Sequence, residues 1–309
     1  MEQLLSLLKT IPEYAAMVSS LQGGESVAVT GIGQINRSHM IAGLCRSLSR
    51  PMVVLCQDDL AARRLQEELK GFLSDTAPIL PGRDLTLYDA AVVSRSWEQK
   101  RLRQLYDLAA GKTCLQIMTW ESLSLRTMPK AALLSAAFSL EVGREYAVED
   151  LTARLTAAGY NRCGMVEGPG QFAVRGGILD IFSPAEDQPV RAEFFGDELD
   201  TMGFFDPATQ RRSENITSVT VLPVAETQPG LHPGGVAGLC KDISSLISRQ
   251  KRRKNINEPL IATLEKDLNK YESGLHNPAS DRYMALIYPE MATAADYIPD
   301  GAVVAVCDH

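Results

Sequence analysis

The residues of this 309-residue chain that come nearest to a chemical motif are Ala28-Val29-Thr30-Gly31-Ile32-Gly33-Gln34-Ile35. A phosphate-binding G-x-x-x-x-G-K-[ST] loop uses glycines so that backbone N–H groups wrap the phosphates. It adds a lysine for the β and γ phosphates and a hydroxyl for magnesium. Here Ala28 stands at the first glycine, Gly33 at the second, Gln34 at the lysine and Ile35 at the hydroxyl position, with Gly31 inside the turn. Without the cation and the metal ligand, nothing balances the charge of a phosphoryl group in transfer, so nucleotide hydrolysis is not expected here. The frame reads instead as a retained tight turn that packs a helix onto a sheet.

Other candidate constellations are weaker. Asp197-Glu198 imitates the acidic pair of a nucleotide-dependent motor, but that pair should end a strand buried on both faces. The preceding run Val190 to Phe195 interleaves Arg191 and Glu193, as a half-exposed strand does. Cys45, Cys56, Cys114, Cys163, Cys240 and Cys307 form no C-x-x-C pair, and His39, His232, His276 and His309 are not at ligand spacing. Buried or incidental thiols are the expectation, a metal site the alternative. No G-x-S-x-G or H-E-x-x-H is present. The residues therefore predict no catalytic group, no cofactor and no metal.

With 45% hydrophobic and 22% charged residues, the chain can bury real cores in two or three domains. A net charge of −7 repels a phosphate backbone. Arg249, Lys251, Arg252, Arg253 and Lys254 are the exception, read as a solvated helix end with phosphate contact as the alternative. No apolar run approaches the ~18 residues of a membrane span, and the N-terminus lacks a secretory pattern, so a cytoplasmic protein without membrane contact is expected.

These residues need elements to position them. Alternation predicts a strand at 26–30, a turn at 31–33, a helix from about Arg37 to Leu48 and a strand 52–55. A helix over 59–72 capped by Asp58, a helix 97–110 and a strand 114–119 follow, an alternation that argues for a parallel sheet covered on both faces. After about Lys130 the segments become short with period two. Phe172 and Val174 oppose Ala173 and Arg175, and Val190, Ala192 and Phe194 oppose Arg191, Glu193 and Phe195, as in a half-exposed antiparallel sheet. Gly196-Asp197 reads as a turn into a strand 198–205, with another strand at 216–222. Beyond Ala225 come a loop over 228–235, two helical patterns and a strand 302–307. A chain that stops two residues past a strand is expected to be part of something longer.

The run Glu167-Gly168-Pro169-Gly170-Gln171-Phe172-Ala173-Val174-Arg175-Gly176-Gly177-Ile178-Leu179-Asp180-Ile181-Phe182-Ser183-Pro184, followed by Val190 to Asp200 and by Phe204-Phe205-Asp206-Pro207, resembles a specific family. It is similar to the region shared by the excision-repair protein UvrB and bacterial transcription-repair coupling factor (Mfd), and the similarity covers most of residues 20 to 225. Leu87-Tyr88 and the stretch 101–108 fit as well. UvrB has an intact phosphate loop and a long DNA-clamping hairpin after the position of Tyr88. Only Asp89 to Ser96 separate Tyr88 from Trp97 here, so the resemblance favours the N-terminal region of the coupling factor.

That resemblance implies an α/β fold: a degenerate P-loop, RecA-like layer like domain 1 of UvrB, with an inserted small α+β domain built on an antiparallel sheet. The pieces expected are 1–127, an inserted 128–223 and a closing 224–309 that completes the first layer. It also implies that the small domain binds the excision-repair protein UvrA for nucleotide excision repair. Arg175 matches the arginine of F-x-V-R-G, Arg162 an arginine thirteen positions earlier and Glu193 the acid of E-F-F. Ala173 replaces a second arginine of UvrB, and Phe195 joins the set by alternation. From the residues alone, an Arg175–Glu193 cross-strand pair or two solvated side chains is the alternative. The resemblance further implies, in absent C-terminal parts, an RNA-polymerase-binding domain and an ATP-dependent double-stranded DNA translocase, with intramolecular masking of the docking surface. A residual nucleotide- or DNA-binding module assisting that motor is the competing function.

Overall fold

The run Met52–Cys56 is apolar throughout and Leu115–Thr119 carries only Gln116 and Thr119 as polar residues, and both become strands buried at every residue. The structure, a computed structural model, describes residues 2–74, 76–83 and 96–307. Among these the strands are, in chain order, β1 Met52–Cys56, β2 Leu115–Thr119, β3 Phe138–Glu141, β4 Asn161–Arg162, β5 Gln171–Arg175, β6 Ile178–Ile181, β7 Val190–Phe195, β8 Glu198–Phe205, β9 Arg212–Asn215, β10 Ser218–Val221 and β11 Val303–Val306. The described residues divide into two compact units, 1–82 with 104–126 and 293–309, and 83–103 with 127–292.

In the first unit β11, β1 and β2 form a parallel sheet in that order, with Val54 opposite Ala305 on one side and Ile117 on the other. Met52, Val54, Cys56, Leu115 and Ile117 share one core with Ile41 and Leu44 of the helix Gln34–Leu48 and with Leu65 and Leu69 of the helix Asp59–Lys70. Asp58 caps the latter, its Oδ1 accepting from the Ala61 N–H at 2.8 Å. Buried Gln116 donates its side-chain amide to the Pro78 carbonyl and to Gln104 Oε1, both at 2.9 Å.

The second unit holds the predicted antiparallel sheet, in the order β4-β5-β6-β7-β8-β9, with only the β4–β5 pair parallel. One face is apolar: Phe172, Leu179, Ile181, Val190, Ala192, Leu199 and Met202 form a core with Leu151 and Leu155 of the helix Val148–Ala157 and with Leu140, Val219 and Val221 of the β3–β10 ladder. Period-two alternation selects these residues on β5, β6 and β7, whereas on β8 a register shift opposite Glu193 and Phe194 brings Leu199 and Met202, three positions apart, to the same face. The helices Gly235–Lys251 and Glu258–Glu272 follow, burying Leu239, Ile243 and Ile247 on one and Ile261, Leu264 and Tyr271 on the other. The basic run sits at and beyond the end of the first helix, exposed, with Lys251 Nζ 2.7 Å from Glu265 Oε1.

Three expectations change. The strand predicted at 26–30 does not form: these residues belong to no ladder and are exposed, Val27 and Val29 included. Alternation marks a run fit for a strand, but only a ladder partner offsets the entropy of extending it. The division of the chain also departs from the expected 1–127, 128–223 and 224–309, since 224–292 cluster with the second unit and only 293–309 return to the first. Arg83 and the described residues 96–103 also cluster with the second unit, where buried charges meet. Arg101 Nε donates to Glu226 Oε1 at 3.0 Å, Arg83 Nη2 to Asp281 Oδ1 at 2.6 Å, and Thr127 Oγ1 to Glu226 Oε2. Finally, β9 is a strand that alternation does not signal. Leu87, Tyr88 and nearly all of Asp89 to Ser96 lie outside the described residues.

Candidate functional site

The face of the six-stranded sheet opposite its core carries the charged residues singled out in the sequence. Register aligns Arg175 with Ile178, Ile178 with Glu193 and Glu193 with Thr201, so Arg175 and Glu193 stand in one cross-strand row with Ile178 between them. They do not pair with each other. Arg175 Nη2 donates to Asp180 Oδ2 at 2.5 Å, and Glu193 accepts from Arg212 Nη1 at 3.4 Å and from Thr201 Oγ1 at 3.3 Å.

The next row is Ala173, Asp180, Arg191 and Gly203. Asp180 is fully buried, and Arg191 grips it from the side, Nε to Oδ1 at 2.7 Å and Nη2 to Oδ2 at 2.9 Å. The Arg191 guanidinium also lies 4.5 Å from the centre of the Phe205 ring and donates to Gln210 Oε1 at 3.0 Å. Hydrogen bonding to Asp180 raises the Arg191 pKa further, so it is a permanent cation. Ala173 is buried in a small second core with Val166, Phe182 and Phe205. Gly203 is required where it stands: a Cβ there would meet Arg212 Nε and the Glu214 carbonyl, each at 2.5 Å.

Phe195 ends β7 just before the β7–β8 turn, where Gly196 has φ +64°. Its ring is 83% exposed, the largest exposure of any large apolar side chain among the described residues. Phe194, one residue earlier, packs against the core on the other face. Arg162 lies apart from this cluster. It is exposed on the two-residue edge strand β4, opposite Phe172, whose ring is buried on the core side.

In the first unit Gly31 adopts φ +76° and Gly33 precedes the helix Gln34–Leu48 as its N-cap, without a side-chain cap. The helix begins three residues before the predicted Arg37. Ala28 is exposed. The side chain of Ile35 lies outside the described residues. Gln34 lines a cavity of about 360 Å³ with Arg37, Arg64, Asp58 and Glu68, two cations offset by two carboxylates. Among the described residues no group of three or more His, Cys, Asp and Glu is placed to hold a metal ion, and no helix is long and apolar enough to cross a membrane. Asp197 and Glu198 sit at the exposed β7–β8 turn instead of ending a buried strand.

Asp180, Arg191 and Arg212 belong to this face and are not among the site residues that the sequence singles out. Alternation along Ile178–Ile181 could have set Asp180 on the Arg175 face, opposite Leu179 and Ile181; its burial could not have been read.

This face combines charged side chains with one bare aromatic ring, the residue types that protein interfaces use to orient and anchor a partner. Residues 138–226, which include this face, match the family model of the UvrB interaction domain. The chain is also similar to transcription-repair-coupling factors. It is 32% identical to that of Myxococcus xanthus over 221 residues, 69% of this chain and 18% of the relative. Against that of Bacillus subtilis (strain 168) it is 24% identical over 308 residues, 98% of this chain and 26% of the relative. Against that of Mycobacterium tuberculosis (strain CDC 1551 / Oshkosh) it is 27% identical over 315 residues, 99% of this chain and 25% of the relative. These matches support an N-terminal region of a transcription-repair-coupling factor, bearing a UvrB interaction domain. The chain spans no more than about a quarter of the length of these curated relatives.

Proposed function

We propose that this region is non-catalytic and recruits the cytoplasmic excision-repair protein UvrA to stalled RNA polymerase, by presenting the surface that UvrB would present. The observation that carries the reading is the bare Phe195 ring at the end of β7, on the strand that sets Glu193 in a row with Arg175, inside the segment that matches the UvrB interaction domain. An exposed aromatic is a typical anchor of a protein interface, and flanking charges orient the partner and exclude wrong ones. Arg162 joins this surface on the strength of the family resemblance, as a contact at the sheet margin.

In the same reading the first unit is a RecA-like layer of the UvrB type whose phosphate loop has lost its lysine and hydroxyl. Polymerase binding, the double-stranded DNA translocase and the mask over the docking face belong to parts of the parent outside this chain. Calorimetric titration with the cognate UvrA tests the docking role. The chain should bind, and Arg175→Ala should weaken binding by about 2–5 kcal/mol, on the order of 30-fold or more, while staying folded. No binding by the unaltered chain would overturn the role, and full-strength binding by Arg175→Ala would move the contact elsewhere.

A further inference from the structure

Two arginines converge on one buried carboxylate beneath the docking face, and their situations differ. Arg191 is spent internally: it holds Asp180 through two donors, stacks on Phe205, reaches Gln210 and keeps a side-chain exposure of 17%. Arg175 keeps a side-chain exposure of 46%, and Asp180 is its only hydrogen-bond partner among the described residues, through a single Nη2 donor. The planar fork of a guanidinium fixed at one corner keeps its remaining donors in a defined direction, a geometry that matches a carboxylate. Two cations on one anion also leave the cluster with a net positive charge at the surface.

We infer that Asp180 is the positioning residue of this face: it holds the Arg175 guanidinium by one corner and leaves the rest of the fork turned outward for an acidic side chain of the partner protein. The inference rests on the docking reading above. A long side chain that must be ordered on binding loses rotamer freedom, and Asp180 removes that loss in advance. Asn at this position cannot do the same. Its amide nitrogen would face guanidinium donors, leaving one oxygen for two arginines.

The test is a double-mutant cycle with Asp180→Asn, Arg175→Ala and both together, each checked for a cooperative melt and titrated with UvrA. Asp180→Asn should weaken binding about 5- to 30-fold alone and by less than about twofold in the Arg175→Ala background. An equal loss in both backgrounds, or no loss in either, would overturn the inference. Should Asp180→Asn fail to fold, Arg175→Lys serves instead: one ammonium cannot both hold Asp180 and offer a fork, so binding within about twofold of the unaltered chain would overturn it. A measurement without UvrA separates this inference from the docking reading. Nitrogen-15 relaxation of the Arg175 Nε–H should report a rigid side chain that becomes mobile in Asp180→Asn. A side chain equally mobile in both would sink the positioning role even if docking holds, and a rigid-to-mobile change would uphold it even if UvrA binds elsewhere.

Discussion

Phe172 and Phe195 carry the same side chain on neighbouring parts of one sheet, and their surroundings give them different work. Phe172 is fully buried among Leu155, Ile181 and Val190, whereas Phe195 is bare to solvent. Removing a buried ring forfeits both its transfer from water and the packing around the cavity left behind, about 3–5 kcal/mol. Removing an exposed ring forfeits almost nothing from the fold. Phe172→Ala should therefore lower the denaturant midpoint sharply, and Phe195→Ala should leave it within about 0.5 kcal/mol of the unaltered chain. In the titration with UvrA the effects reverse, with Phe195→Ala costing about 1.5–3 kcal/mol of binding. A Phe195→Ala chain that binds at full strength would take the ring out of the interface. Phe195 was legible as outward-facing because it alternates with Phe194, which packs against the core. The burial of Asp180 was not legible, because it depends on Arg175 and Arg191 arriving from two other strands.

At the scale of elements, tyrosine hydroxyls tie separate segments to one another inside the second unit. Tyr160, after the helix Val148–Ala157, donates to the Leu222 carbonyl beyond β10 at 2.7 Å. Tyr283 donates to Asp267 Oδ2 at 2.7 Å, and Tyr288 to the Glu226 carbonyl at 2.9 Å. Burial raises all three phenol pKa values above their ordinary value, with the neighbouring Asp267 adding to the effect at Tyr283. A raised folded-state pKa means that the native protein keeps protons the unfolded chain would release. Their stabilisation is thus complete below about pH 10 and falls as pH rises beyond it. Urea midpoints measured from pH 8 to 11 should hold until near pH 10 and then drop, while absorbance near 295 nm shows a subset of tyrosines resisting ionisation until unfolding. A flat midpoint with every tyrosine titrating together would contradict this.

At the scale of the whole chain, each compact unit is assembled from separated stretches. The first gathers 1–82, 104–126 and 293–309, so β11 reaches its place beside β1 only after the whole second unit has intervened. The helix start at Gln34 lies in this first unit and lines a cavity with two cations offset by two carboxylates. A ligand that binds only the native state must raise the melting temperature, by an amount equivalent to about 2.7 kcal/mol at a hundred times its Kd. Melting the chain with millimolar ATP and magnesium should give no shift. A clear rise would favour a residual nucleotide-binding module over a purely docking role.

Residue order alone carried the strands β1, β2, β5, β7 and β8, the Asp58 cap and the outward set of Arg175, Glu193 and Phe195. Those features depend on periodicity and on neighbours a few positions apart. It also carried the residue types Gln34 and Ile35 after Gly33, which are read without any fold. The tertiary structure alone decided that 26–30 stays unpaired, that 224–292 join the second unit and that Asp180 lies buried under two arginines. Each of these depends on partners far away in the chain: a ladder neighbour, a buried countercharge or a packing face. Local pattern shows what a segment is fit to do, and only the assembled fold shows which partner it meets.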